Sequence, residues 1–304
     1  MPLYFKIICL FLAILILLSM KNFIVPIDFS DDSIKGLELA ILFSHKKHVN
    51  IQLVYVQKKS FDIYAGLIHE EAKLAEKKFE EMLRKYTPLL KNDSKLRYII
   101  KKGRIYEEIV QQAQSYKDSI ITASTHGASG FEELFMGSNA YKIICATDRP
   151  VITISKGNIP KEIKRIVLPI EMIPETRQKV GIAADIAQLF GSEILVVAVT
   201  SSKSKKIKER LDSYVNQVSK HLKGIDIPYK TDFLYGSNIA ELTLDYGRKA
   251  KADLTVIMSD MGIGIGNLFM GSYSQQILSK ANMPVLNLKV KEINLPRDFN
   301  TFGE

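Results

Sequence analysis

The stretch ASTHGASGFEELFMGSN, residues 123–139, gathers small and polar residues of the kind that can surround a phosphate. Glycine has no Cβ, so a backbone N–H at Gly127 can come close to a ligand. Gly137-Ser138 precedes a run with helical spacing. The free N–H groups and positive dipole end of such a helix favour an anion. Asp28 adds a carboxylate just past the apolar run FIVPI at 23–27. A plainer reading also stands: Gly127 and Gly130 as turn residues, and Ser138 as a helix N-cap.

Other chemistry-bearing residues form no catalytic set. His126 has no paired nucleophile in view and reads as a polar loop residue. HEEAK (69–73) lacks the second histidine of a zinc-protease helix, and His45 and His48 read as surface residues near a helix end. The two cysteines, Cys9 and Cys145, have no disulfide or zinc spacing, which favours a reducing compartment.

The elements that would position these residues occur twice. LFMGS appears at 134–138 and again at 268–272, and RPVITI (149–154) returns as MPVLNL (283–288), both with an offset of 134 residues. IVPIDF (24–29) is matched by IVLPIE (166–171). Each copy therefore runs from a strand ending in Pro-Ile-acid, through Met-Gly-Ser, to a Pro-Val strand. KGNIPKEIKR (156–165) joins the copies and carries the Gly and Pro of a short linker.

In the first copy, apolar runs at 23–27, 51–56, 96–100, 119–124 and 151–154 alternate with helix-spaced segments at 30–48, 66–86, 104–116 and 137–146. In the second, strands are expected at 165–170, 193–199, 230–235, 254–259 and 285–288, with helices near 203–222, from Asn238 and from Gly271. Continuous apolar strands alternating with helices predict an α/β fold with a mostly parallel sheet covered on both faces. Such a sheet binds ligands outside the carboxyl ends of its strands, where the strand order reverses. Asp28 and the 123–139 loop should meet there.

The chain has 304 residues, 46% of them hydrophobic and 25% charged, with a net charge of +9. That suits two globular domains. The lysines alternate with glutamates, as in EEAKLAEKKFEEMLRK (70–85), so the charge reads as a solvated surface and no nucleic-acid groove is expected. Ile7–Leu18 is an uninterrupted apolar run of twelve residues. It is short of the ~20 that a spanning helix needs. Residues 1–19 are expected to be an extension upstream of a start at Met20, with a short membrane anchor as the alternative and a signal sequence behind that. The expected location is cytoplasmic, with membrane association through residues 1–19 as the alternative.

IVPIDFS, the segment SIITASTHGASGFEELFMGSNAYKIICATDRPVITI and their second-copy counterparts resemble the universal stress protein family, in tandem form. The resemblance covers Met20 to about Val290. It implies two Rossmann-like domains of the adenine nucleotide alpha-hydrolase-like type, residues 20–156 and 163–290, each a five-stranded mostly parallel sheet. A C-terminal tail, 291–304, follows. It also implies pairing of domains through their last strands, and a homodimer could form in addition. The ATP-binding branch of the family has Gly, two residues, Gly, nine residues, Gly, then Ser or Thr. Here Ser124 takes the place of the first glycine, followed by Gly127 and Gly137-Ser138. By resemblance, Asp28 would face the ribose or adenine end and Gly127, Gly137, Ser138 and Asn139 would cradle the phosphates, with Pro26, Ile27, Ser124 and His126 counted in the same nucleotide site. ATP or AMP, with Mg2+ as an option, is the implied ligand.

The second copy departs from that pattern. Met258 and Met261 hold the two earlier glycine positions, Asp260 lies between them, and Glu171 replaces the aspartate. Gly271-Ser272 persists. GIGIG (262–266) follows the fourth strand at the wrong spacing for a dinucleotide fingerprint. The cradle is expected to be lost in this copy, with Gly-Ser kept for folding. The expectation is a nucleotide-binding regulatory module with its site in the first domain. The alternative is a scaffold that binds no nucleotide. ATP hydrolysis has only the family resemblance behind it.

Overall fold

The computed structural model describes residues 20–57, 65–125, 137–155, 157, 159–259 and 271–289. Residues 1–19, 126–136 with His126 and Gly127, 260–270 with Asp260 and Met261, and 290–304 lie outside this set.

The first half contains β1 (Asn22–Pro26), α1 (Asp31–Ser44), β2 (Asn50–Gln57), α2 (Ala65–Tyr86), β3 (Lys95–Lys102), α3 (Ile105–Gln114), β4 (Ser119–Ser124), α4 (Ser138–Ala146) and β5 (Val151–Ile154). The second half contains β6 (Arg165–Ile170), α5 (Lys179–Phe190), β7 (Glu193–Thr200), α6 (Lys205–Gly224), β8 (Tyr229–Tyr235), α7 (Ile239–Lys249), β9 (Leu254–Ser259), α8 (Ser272–Lys280) and β10 (Val285–Lys289). The fold is α/β with Rossmann-like halves.

The ten strands among the described residues lie in one sheet, in the order β3-β2-β1-β4-β5-β10-β9-β6-β7-β8. Every pairing within a half is parallel. Each half has the order 3-2-1-4-5 by its own count, so the chain reverses its direction across the sheet between its first and fourth strands. The strands alternate sides as period 2 demands. Phe23, Val25 and Leu53 pack with α1 and α2 residues such as Phe43 and Phe79, while Ile24 and Ile121 pack with Ile109, Ile143 and Ile144 of α3 and α4.

Helix α1 shows how local sequence sets the first site element. The Ser30 hydroxyl accepts from the Ser33 N–H at 3.2 Å as an N-cap, and Asp31 and Asp32 favour the positive end of the dipole. Gly36 then lets the helix lie against β4. A Cβ there would sit 2.7 Å from the Thr122 carbonyl oxygen.

The halves meet at β5 and β10, which pair antiparallel. Ile152 faces Leu286 in register. These are repeat equivalents 134 residues apart, so a pseudo-twofold axis passes through that pair. On one face Phe43 of α1 meets Phe190 of α5 edge-on at 5.1 Å, and Lys46 bonds Glu162 at 2.9 Å. On the other, Ser155 donates to the Ser279 carbonyl at 3.1 Å. The linker turns at Gly157 with φ +95°, and a Cβ there would strike the Asn282 carbonyl at 2.3 Å. Glycine is obligatory at that crossing on both counts.

Helix α5 has no counterpart among the sequence expectations. Residues 179–190 lack a side-chain N-cap bond, and α5 carries buried Val180, Ala183, Ala184, Ile186, Ala187 and Phe190. Its apolar residues run nearly all round, so the 3.6-residue stripe is faint.

Candidate functional site

In the first half the strand order reverses between β1 and β4, and the residues after both strands come together there. Ile27 is buried, with its N–H on the Val54 carbonyl at 2.9 Å, and continues the β1 register one residue further. Asp28 is exposed. Its Oδ1 accepts from the Ser30 N–H at 3.0 Å and from the Ser30 hydroxyl. The tight turn passes through Phe29 at φ 64°, a left-handed conformation rare for a bulky residue. The Phe29 ring is held by Tyr55 at 5.1 Å and Phe79 at 5.0 Å, with the Lys78 ammonium 4.9 Å from its centre. Tyr55 donates to Glu71 at 2.5 Å. Burial, and then Glu71, push the Tyr55 hydroxyl up to about 12, so it stays protonated and a donor. Sequence reasoning missed this aromatic support. Phe29 directly after Asp28 was its one visible trace.

On the other side of the switch point, Ser124 ends β4 and is half-buried. The Thr125 N–H bonds the Ile154 carbonyl at 2.9 Å, and the Gly137 N–H returns the chain onto the Thr125 carbonyl at 2.6 Å. Gly137 is the N-cap of α4 and makes no side-chain cap bond. Ser138 is therefore the first helical residue, and the plainer reading of it as the cap does not hold. A Cβ on Gly137 would lie 2.8 Å from the Thr125 oxygen. The fold itself requires that glycine, whatever it also offers a ligand. Ser138 and Asn139 are exposed at the start of α4. Pro26, Ile27, Asp28, Ser124, Gly137, Ser138 and Asn139 thus flank one switch point, while His126 and Gly127 fall in the segment not described.

Among the described residues, the same place in the second half is occupied by side chains of the chain itself. Lys179, at the start of α5, is fully buried, and its ammonium bonds Glu171 Oε1 at 3.1 Å. Met258, at the position of Ser124, is buried. Tyr273, at the position of Asn139, bonds Thr243 at 3.3 Å, and burial followed by the Glu171 charge raises its hydroxyl pKa. The Ser274 hydroxyl ties α8 to the Met258 carbonyl at 3.0 Å. Nearby, Arg177 lies 4.0 Å over the Tyr214 ring. Glu171 had been picked out in the sequence, but Lys179 had not, because its partner is eight residues away across a turn.

Chemically, the first site offers a carboxylate, a phenol of high pKa in its support and an exposed helix start. Those can hold hydroxyls and an anion. Among the described residues no group of three or more His, Cys, Asp or Glu is placed to hold a metal ion. No described helix is long and apolar enough to cross a membrane.

Fold and site together define a tandem doubly wound α/β protein whose first switch point leaves Asp28 exposed and whose second holds the buried Lys179–Glu171 pair. The profile of the Universal stress protein family matches residues 20–155 and 162–289. The chain belongs to the universal stress protein family. A universal stress protein of Methanocaldococcus jannaschii is 25% identical over 146 residues, covering 45% of this chain and 82% of that one. A crystal structure of a universal stress protein from Archaeoglobus fulgidus superposes with a TM-score of 0.72 at 19% identity, over 90% of this chain and 98% of that one. A functionally unknown protein from Pseudomonas aeruginosa gives 0.60 at 16%, over 90% and 94%. At these identities the two structural likenesses are of fold.

Proposed function

We propose that this protein is a nucleotide-binding regulatory module that takes one adenine nucleotide, ATP or AMP, at the switch point of its first half. Asp28 accepts from ribose hydroxyls or the adenine end, and the start of α4 at Ser138 and Asn139 receives phosphate oxygens. Mg2+ would accompany a triphosphate. The second half acts as a built-in dimer partner that has given up binding. The observation that carries the reading is the contrast between the halves. Asp28 is exposed at the first switch point, and the second is plugged by the buried Lys179–Glu171 pair. The antiparallel β5–β10 pairing supports the partner role of the second half.

Mass spectrometry of small molecules released from the purified protein tests this first. An adenine nucleotide in the wild type, lost on Asp28→Ala, is expected. Loss of a charge-assisted hydrogen bond of ~1.5 kcal/mol or more weakens binding roughly tenfold or more. Wild-type protein that retains no nucleotide and shows no calorimetric response to added ATP or AMP would favour the scaffold reading instead.

A further inference from the structure

A second concave site lies at the opposite end of the first half, at the amino ends of β1, β2 and β3. Strand length places it roughly 20 Å from the switch point. It is a cleft of about 280 Å³ lined by Asn22, Asn50, Gln52, Lys95, Arg97 and Tyr116, among others. That is just under the ~300 Å³ at which ligand pockets start, so the space is limited to a small group or ion.

The strands place these residues on one face by alternation. Register puts Asn22 beside Asn50, and Gln52 beside Arg97. The hydrogen bonds sort the cleft into used and unused groups. Gln52 Oε1 accepts from Gln112 Nε2 at 2.7 Å and from the Tyr116 hydroxyl at 3.5 Å. Its amide nitrogen is left as a donor. Asn50 donates to Asn22 at 3.3 Å, and Asn22 donates to the Asp118 carboxylate at 2.8 Å. Arg97 and Lys95 have no ion-pair partner among the described residues.

The second half shows what the fold does when this place is not a cleft. Its strands begin in the same register, with Arg165 beside Glu193 and Leu195 beside Lys230. Glu193 therefore stands for Asn50, Leu195 for Gln52 and Lys230 for Arg97. Leu195 is buried in an apolar cluster with Val167, Val197 and Val199. The Lys230 ammonium bonds Glu193 at 3.0 Å. The second half thus pairs Lys230 with its own carboxylate and fills the face with apolar groups, while Arg165, at the place of Asn22, donates to the Ala250 carbonyl. The first half keeps the cation, replaces the carboxylate with an amide and opens the face. What is missing is an oxyanion.

We infer that the cleft at the amino ends of β1–β3 binds the carboxylate or phosphate group of a small molecule through Arg97, Lys95 and the Gln52 amide. None of these residues belongs to the nucleotide site, so the two readings stand or fall separately. The test is a titration of the 15N-labelled full chain with inorganic phosphate and with succinate at constant ionic strength, with chloride as the control. It is read at the side-chain signals of Gln52, Asn50 and Arg97. Saturable shifts with phosphate, succinate or both are expected, and which one responds identifies the group. Arg97→Gln should weaken that response at least tenfold. Asn50→Glu, which supplies the carboxylate seen in the second half, should abolish it while the melting temperature is held or raised. Absence of a saturable shift with both probes, or an unchanged response in Arg97→Gln, would overturn the inference.

Discussion

Lys179 is fully buried, and its stability in that place depends on Glu171, 3.1 Å away. Removing one member of a buried pair leaves the other charge without compensation, at a cost of about 3–5 kcal/mol. Lys179→Met should therefore lower the unfolding free energy by that much, read as a fall in the urea midpoint at unchanged m. The double variant Lys179→Met, Glu171→Leu should recover most of the loss, since apolar replacement of a whole buried pair is often neutral. A single variant as stable as the wild type would show that the plug is not a structural pair. Gly137 teaches the complementary lesson. Its spacing suggested phosphate approach, but the 2.8 Å separation from Thr125 oxygen makes it a folding requirement too. A valine there would disturb the backbone before any ligand arrived, so Asp28 is the cleaner probe of binding.

Helices α1 and α5 carry the interface between halves through Phe43 and Phe190, with Asp185 of α5 buried and Lys47, just past α1, half-buried. Burial pushes the Asp185 carboxyl up to about 6 against the opposing Lys47 charge. Burial pushes Lys47 down to about 8 against Asp185 and Asp118. Between pH 3.8 and about 6 the folded chain keeps a proton on Asp185 that the unfolded chain has released. Stability from this group is full below that window and falls as pH rises through it. Between about 8 and 10.5 the unfolded chain holds the Lys47 proton, so stability rises with pH there. Asp185→Asn should flatten the acid-side slope, by an amount of order 2–3 kcal/mol across the window. Urea midpoints measured from pH 4 to 7 with parallel slopes in variant and wild type would refute this. The strands were legible because each is a short apolar run between turn residues, and β4, β5, β6 and β9 fall where the sequence places them. Helix α5 was not, for want of an N-cap bond and a one-sided stripe. Neither was the Lys179–Glu171 contact in the second site, which joins residues of different elements.

Across the whole molecule, the β5 edge of the first half is covered by β10, with equivalent residues Ile152 and Leu286 at the centre. An uncovered edge strand pairs with whatever strand it meets. The first half expressed alone, residues 20–158, should dimerise through β5 or aggregate in sedimentation experiments. A stable monomer would mean that the second half serves another purpose. The same architecture bears on binding. Two halves with the same strand order supply two switch points, but only the first leaves its acid exposed, and the second closes over Glu171, Lys179, Met258 and Tyr273. Isothermal titration of the full chain with ATP and with AMP measures this asymmetry directly. One nucleotide per chain, lost or weakened in Asp28→Ala and unaltered by a change confined to the second switch point such as Tyr273→Phe, is the predicted result. Two equivalent sites per chain, or one that responds to Tyr273→Phe and ignores Asp28→Ala, would contradict it.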